Sequence, residues 1–164
     1  WLPSRRWALT AAWRYENFED QECIPCQLFY STPAQLRTIT LPLNIQYFHP
    51  SGFFAGLGIV YVNQDIQLLD SSSITFLPPT DPNLLPIIDP SSVTFLPTQR
   101  EDFTLINVGL GYRLPKRQGI IALEARNLFD KQFYFQDYSF QTGEPTNPLY
   151  IPERTLFGRF VLNF

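Results

Sequence analysis

The stretch Thr38-Ile39-Thr40-Leu41-Pro42-Leu43-Asn44-Ile45-Gln46-Tyr47-Phe48-His49-Pro50-Ser51-Gly52-Phe53 decides the fold. Ile39, Leu41, Leu43, Ile45 and Tyr47 alternate with Thr40, Pro42, Asn44, Gln46 and Phe48. A period of two sends neighbouring side chains to opposite faces of a strand, so this segment has one apolar face and one mostly polar face. His49-Pro50-Ser51 is short enough only for a tight turn, which makes residues 52–65 the second arm of a hairpin. Those residues are apolar on both faces, and their orientation follows from their neighbour. Pairing Tyr47 with Phe53 puts Phe53, Ala55, Leu57, Ile59 and Tyr61 on the apolar side, and Phe54, Gly56, Gly58, Val60 and Val62 on the other.

The same alternation recurs outward in both directions. Upstream, residues 7–16 place Trp7, Leu9, Ala11, Trp13 and Tyr15 against Ala8, Thr10, Ala12, Arg14 and Glu16. Downstream, residues 102–114 place Thr104, Ile106, Val108, Leu110, Tyr112 and Leu114 against Asn107, Gly109, Gly111 and Arg113. Residues 120–129 set Ile121, Leu123 and Ala125 against Ala122, Glu124 and Arg126. Residues 155–164 set Leu156, Gly158, Phe160, Leu162 and Phe164 against Arg159 and Asn163. The expected fold class is all-β: an antiparallel transmembrane β-barrel segment of about six strands, each about ten residues long, the length a tilted strand needs to cross a bilayer. About eight strands is the smallest bacterial barrel, so the segment reads as an incomplete barrel.

The connections differ sharply in length. Residues 49–51 and 115–119 are tight turns, whereas 17–37, 66–101 and 130–153 are long loops. Outer-membrane barrels have short periplasmic turns and long extracellular loops, and that assignment is expected here.

Composition agrees. Of 164 residues, 45% are hydrophobic, 16% aromatic and only 16% charged, against about 25% charged in soluble domains. No apolar run approaches the roughly 18 residues of a transmembrane helix. The net charge of −3 argues against nucleic acid as a partner. The chain contains no Met and shows no signal peptide, so it is expected to be a piece of a longer protein.

Charge placement indicates which face meets lipid. Arg14, Glu16, Arg113, Glu124, Arg126 and Arg159 all fall on the polar face, and the apolar face is uncharged over the same spans. A charge facing hydrocarbon costs about 2–4 kcal/mol at the bilayer midplane, so the polar face is expected to line the lumen. Trp7, Tyr47, Phe53, Tyr112 and Phe164 lie near one rim of the apolar face, and Trp13, Tyr15 and Tyr61 near the other. Two aromatic belts are the expected marks of two headgroup regions. Glu124 with Arg113 or Arg159 is expected to form a structural cross-strand ladder in preference to a solute site.

Other features carry less chemistry. The single His49 and the lack of a nucleophile–base pair or metal cluster predict no enzyme, no metal and no cofactor. Cys23 and Cys26 form a C-x-x-C between strand-like segments. A local loop disulfide is the first reading, ahead of free thiols and of redox or metal chemistry. The acidic loop residues lack the spacing of a calcium loop. Within the largest loop, Ser72-Ser73-Ile74-Thr75-Phe76-Leu77-Pro78 recurs as Ser91-Ser92-Val93-Thr94-Phe95-Leu96-Pro97, which is read as a duplicated surface excursion ahead of a contact for a ligand or partner.

Three motifs in the C-terminal part resemble the last strands of TonB-dependent outer-membrane receptors: Asn107-Val108-Gly109-Leu110-Gly111-Tyr112-Arg113, Glu124-Ala125-Arg126-Asn127-Leu128-Phe129-Asp130-Lys131, and Pro152-Glu153-Arg154-Thr155 with the terminal aromatic strand. Asn-Leu-Phe-Asp-Lys is the most specific of these, and residues 1–65 match only in style. The chain also resembles the barrel end attached to a helical-repeat protein. The first resemblance implies a barrel of about 22 strands with an N-terminal plug, importing a scarce solute such as an iron chelate. It implies outer-membrane lipid and the barrel-assembly machinery as partners, and TonB through an N-terminal region. It also implies that Phe160, Leu162 and Phe164 form the barrel-assembly signal. The alternative is a barrel anchor or channel on a periplasmic helical-repeat module without energised uptake. A soluble secreted β-protein that folds its apolar face around a ligand is the competing class.

Overall fold

The computed structural model describes residues 6–19, 33–78, 87–135 and 153–162. It is all-β, with antiparallel pairing throughout and no α-helix among the described residues. The principal sheet has the order β1-β3-β4-β7-β8-β9, with β2 also on β3. Its strands are β1 (Trp7–Ala11), β2 (Arg14–Glu19), β3 (Gln35–Phe48), β4 (Phe53–Gln67), β7 (Gln99–Arg113), β8 (Gly119–Arg126) and β9 (Thr155–Leu162). The short strands β5 (Phe76–Leu77) and β6 (Ile87–Ile88) form a separate pair in the largest loop. The sheet is open, with β1 and β2 along one edge and β9 along the other.

β1 and β2 are one continuous line of chain interrupted at a single point. Trp7 pairs with Tyr47 and Arg14 with Thr40, so the register against β3 is the same on both sides of the break. At the break the Ala12 N–H donates to the Pro42 carbonyl at 3.0 Å. Pro42 has no N–H to return the bond, so the ladder lapses there and resumes at Arg14.

Several boundaries differ from the sequence reading. Strands β3, β4 and β7 run further at the long-loop end than the expected 38–49, 52–65 and 102–114, because the polar residues beyond the apolar band continue the ladder. The first strand reaches Glu19 and β3 begins at Gln35, so the first loop is shorter than 17–37, and the largest loop is shorter than 66–101. The third long connection begins directly after Arg126, ahead of the expected 130, because Asn127 takes φ 47 and ends β8. Tyr47 pairs with Ala55 instead of Phe53. The hairpin needs Gly52 as a fourth turn residue, at φ 102, with its N–H donating to the His49 carbonyl at 3.0 Å. The shift is two residues, so every side chain stays on its expected face.

The other short turn, Leu114–Gln118, closes with the Leu114 N–H on the Gly119 carbonyl at 2.9 Å. Gly119 sits at φ 157, and a Cβ there would collide with the Val161 carbonyl oxygen, so β9 can approach only glycine. Both short turns lie at one end of the sheet, and the strand ends that flank the three long connections lie at the other.

Candidate functional site

The two faces of the sheet are chemically distinct, and register fixes which residue belongs to which. One face carries Leu9-Ile45-Leu57-Val108-Ala125-Leu156 as a row, with Trp7-Tyr47-Ala55-Leu110-Leu123-Gly158 beside it. From Phe53 to Tyr61 this face stays apolar along β4, a run of about 27 Å at about 3.4 Å per residue. Beyond the Leu41–Tyr61–Thr104 row polar residues enter on β4 and β7, Asn63 and Asp102 beside Ile39, and then Asp65 and Arg100 beside Arg37. Arg100 bridges Asp65 at 3.7 Å and donates to the Asn63 Oδ1 at 3.4 Å.

Aromatic residues mark both borders of the apolar run. At the short-turn end, Trp7 packs on Tyr47 and Phe53 on Tyr112, each with ring centroids 4.7 Å apart. At the other end Trp13 stacks on Tyr15 at 6.2 Å, with the Arg37 guanidinium 5.6 Å from the Tyr15 ring.

The larger side chains of this face are exposed: Leu110 is 65% accessible, Leu123 67% and Leu156 74%. The packed cluster of the molecule lies on the opposite face, where Val62, Phe103 and Leu105 are buried under Phe133. A water-soluble sheet would hide the more apolar face and expose the more polar one. This sheet leaves large side chains of its more apolar face exposed and packs its buried cluster on the other.

The opposite face holds the charges singled out from the sequence. Arg14 stands across from Thr40 and Glu16 across from Thr38. Glu124 meets Arg159 at 3.6 Å, a diagonal contact between β8 and β9. Arg113 does not join that pair: its guanidinium lies 5.6 Å from the Phe48 ring, and Arg126 lies 4.8 Å from the Phe157 ring. Each guanidinium therefore rests on an aromatic face. Between them, Gly56, Gly58 and Gly109 floor a depression of about 300 Å³ rimmed by Asn44, Gln46 and Asn107. Gly111 lies under the Phe54 ring, which occupies the space a Cβ would need.

Phe160 and Leu162 lie on the apolar face, across from Ile121 and Gly119, and are largely exposed. Phe164, and the C-x-x-C residues Cys23 and Cys26, lie outside the described residues. Among the described residues no group of three or more His, Cys, Asp or Glu is placed to hold a metal, and no helix is long and apolar enough to cross a membrane.

The loop repeat is longer in the structure than the sequence echo, and it pairs with itself. Leu69 bridges Phe95, and Phe76 pairs with Ile88, which are the same two positions exchanged between the copies. Each copy opens with an aspartate that caps a turn: Asp70 accepts from the Ser72 N–H and hydroxyl, and Asp89 from those of Ser91. The next serine of each copy then accepts from the other copy, Ser92 from the Thr75 N–H at 2.9 Å and Ser73 from the Thr94 N–H at 3.3 Å. The Ser91 hydroxyl, and then its N–H, hold the Asp89 carboxyl below the usual carboxylate range. The sequence shows the echo. The reciprocity depends on long-range hydrogen bonds that no local pattern announces.

Comparison with protein-family models, with curated proteins and with solved structures finds no match for this chain.

Proposed function

We propose that this chain is part of an outer-membrane β-barrel receptor or transporter, with the apolar face toward lipid and the charged face toward the lumen. One observation carries the reading: the apolar, aromatic-bordered face is exposed while the chain packs its own cluster on the opposite face. Lipid is the solvent that makes this arrangement favourable, since apolar side chains in contact with acyl chains incur no hydration penalty. The apolar run of about 27 Å along β4, tilted by about 35–45°, rises about 20 Å, close to the roughly 25 Å band of such barrels. Closing the barrel would pair the two open edges, which otherwise present unsatisfied backbone groups.

On this reading the three long connections face outside and the two short turns face the periplasm. Uptake of a scarce solute such as an iron chelate, driven through TonB, rests on the resemblance of the C-terminal motifs to TonB-dependent receptors. Expression of the full-length gene tests both levels. The expected product fractionates with the outer membrane and migrates faster unheated than boiled in detergent gels. A stable monomer in buffer without detergent contradicts the membrane reading. A plug domain encoded upstream of residue 1 supports uptake, whereas helical repeats there make the barrel an anchor.

A further inference from the structure

The chain that follows β8 does something the band and the wall charges do not explain. At Asn127, 2% exposed and at φ 47, it leaves the sheet. The Asn127 N–H donates to the Asn107 Oδ1 at 2.9 Å. Its side-chain amide donates to the Lys131 carbonyl and accepts from the Lys131 N–H, both at 2.9 Å. The Leu128 N–H donates to the Ile106 carbonyl at 2.8 Å. This hydrogen-bonded turn lays residues 131–135 back over the charged face. There Phe133 stacks on Phe103 with centroids 4.0 Å apart and planes 18° apart, and Phe135 meets Phe103 edge-on at 6.3 Å. Beneath them Val62 is 0% exposed and Leu105 4%, whereas Tyr134, between the two anchors, is 86% exposed.

We propose that residues 127–135 form a strap that seals the long-loop end of the inner wall, with the Asn127 turn as its hinge and Phe133 and Phe135 as its latch. The wall beneath is held by a continuous backbone ladder between β4 and β7. Residues 131–135 belong to no strand, and Phe133 and Phe135 pack on Phe103 through their rings. Segments secured in this way open locally at a lower free energy than the sheet they cover. Opening exposes the apolar shelf of Val60, Val62, Phe103 and Leu105, and closing hides it. The position of this strap at the outer mouth of a pore rests on the barrel reading, but the seal over Val62 does not.

Thiol labelling of the full-length protein tests the seal. With Cys23 and Cys26 replaced by Ser, Val62→Cys and Tyr134→Cys are each treated with a membrane-impermeant maleimide. Val62→Cys should react at least about tenfold more slowly than Tyr134→Cys. Adding Phe133→Ala and Phe135→Ala should raise its rate by about the same factor without exposing Thr38→Cys, further along the same face. Equal rates at 62 and 134, or no response at 62 to loss of the two rings, overturn the strap. Should the double variant misfold, Phe103→Cys with Phe133→Cys and a short bifunctional thiol reagent decides: cross-linking is expected, and its absence overturns the latch. Labelling intact cells and lysates separately keeps the two levels apart. Tyr134→Cys reactive only after lysis contradicts the outer location, while the rates in lysate still judge the strap.

Discussion

The two faces of the paired strands β4 and β7 share a backbone and differ in almost everything else. On one face Leu57 and Leu110 stand in an uninterrupted apolar band that no described part of the chain covers. On the other face, one residue away along each strand, Gly56 and Gly109 leave a polar-rimmed hollow, and further along the protein packs its own ring cluster. Burial alone would name the second face the core. Chemistry names the first face the one that avoids water. The two criteria agree in a soluble domain and disagree here, and the proposed lipid-facing reading rests on that disagreement.

The comparison breaks most visibly with one charge moved across the strand. Leu57→Arg places a guanidinium in the middle of the apolar band and is expected to cost about 2–4 kcal/mol in lipid. Gly56→Arg adds the same group where a Cβ meets nothing within 4 Å, and should cost well under that. Equilibrium unfolding of the full-length protein from lipid vesicles measures both, and equal costs would erase the distinction between the faces.

The ring cluster gives the next effect. Phe133→Ala should destabilise by about 3 kcal/mol through lost burial and a residual cavity, and Tyr134→Ala by less than about 0.5 kcal/mol. Denaturant titration in detergent reads both. A similar contrast separates two glycines of the charged face. Gly111→Ala drives a Cβ into the Phe54 ring and should cost about 1–3 kcal/mol, while Gly56→Ala should be nearly neutral.

The smallest effects are electrostatic. Glu124→Gln removes a pair with a 36% exposed carboxylate and a 65% exposed guanidinium, so a loss below about 1 kcal/mol is expected. In the loop repeat, the depressed Asp89 carboxyl contributes stability that is present above the ordinary carboxylate range. That contribution is lost as pH falls through its lowered value. Hydrogen exchange at the Thr75 amide, which the Asp89–Ser92 turn protects, should therefore lose relative protection only in acid and in Asp89→Asn.

Much of this architecture was legible in sequence, because a period of two survives errors of register. Pairing Tyr47 with Phe53 in place of Ala55 left every face assignment intact. The strand break opposite Pro42 falls inside the single strand expected over residues 7–16, because its cause, a residue without a donor, lies on the partner strand. The cluster on the charged face was harder to see. Its signal was Val60 and Val62 on β4, matched by Phe103 and Leu105 on β7 and by Phe133 and Phe135 two residues apart, and only tertiary contact joins those three sets. The Glu124–Arg159 pair was anticipated, but the resting place of Arg113 on Phe48 was not, since side-chain length permits either partner.

The lipid-facing assignment is tested most directly by spin labels placed singly along β7 of the full-length protein in lipid vesicles, with Cys23 and Cys26 replaced by Ser. Collision with oxygen, which concentrates in hydrocarbon, is compared with collision with a water-soluble nickel chelate. Labels at Ile106, Val108 and Leu110 should favour oxygen, and labels at Asn107 and Gly109 should favour the chelate, so that the preference alternates residue by residue. Labels at 106, 108 and 110 that favour the chelate, or that reach neither reagent, would contradict a lipid-facing apolar band.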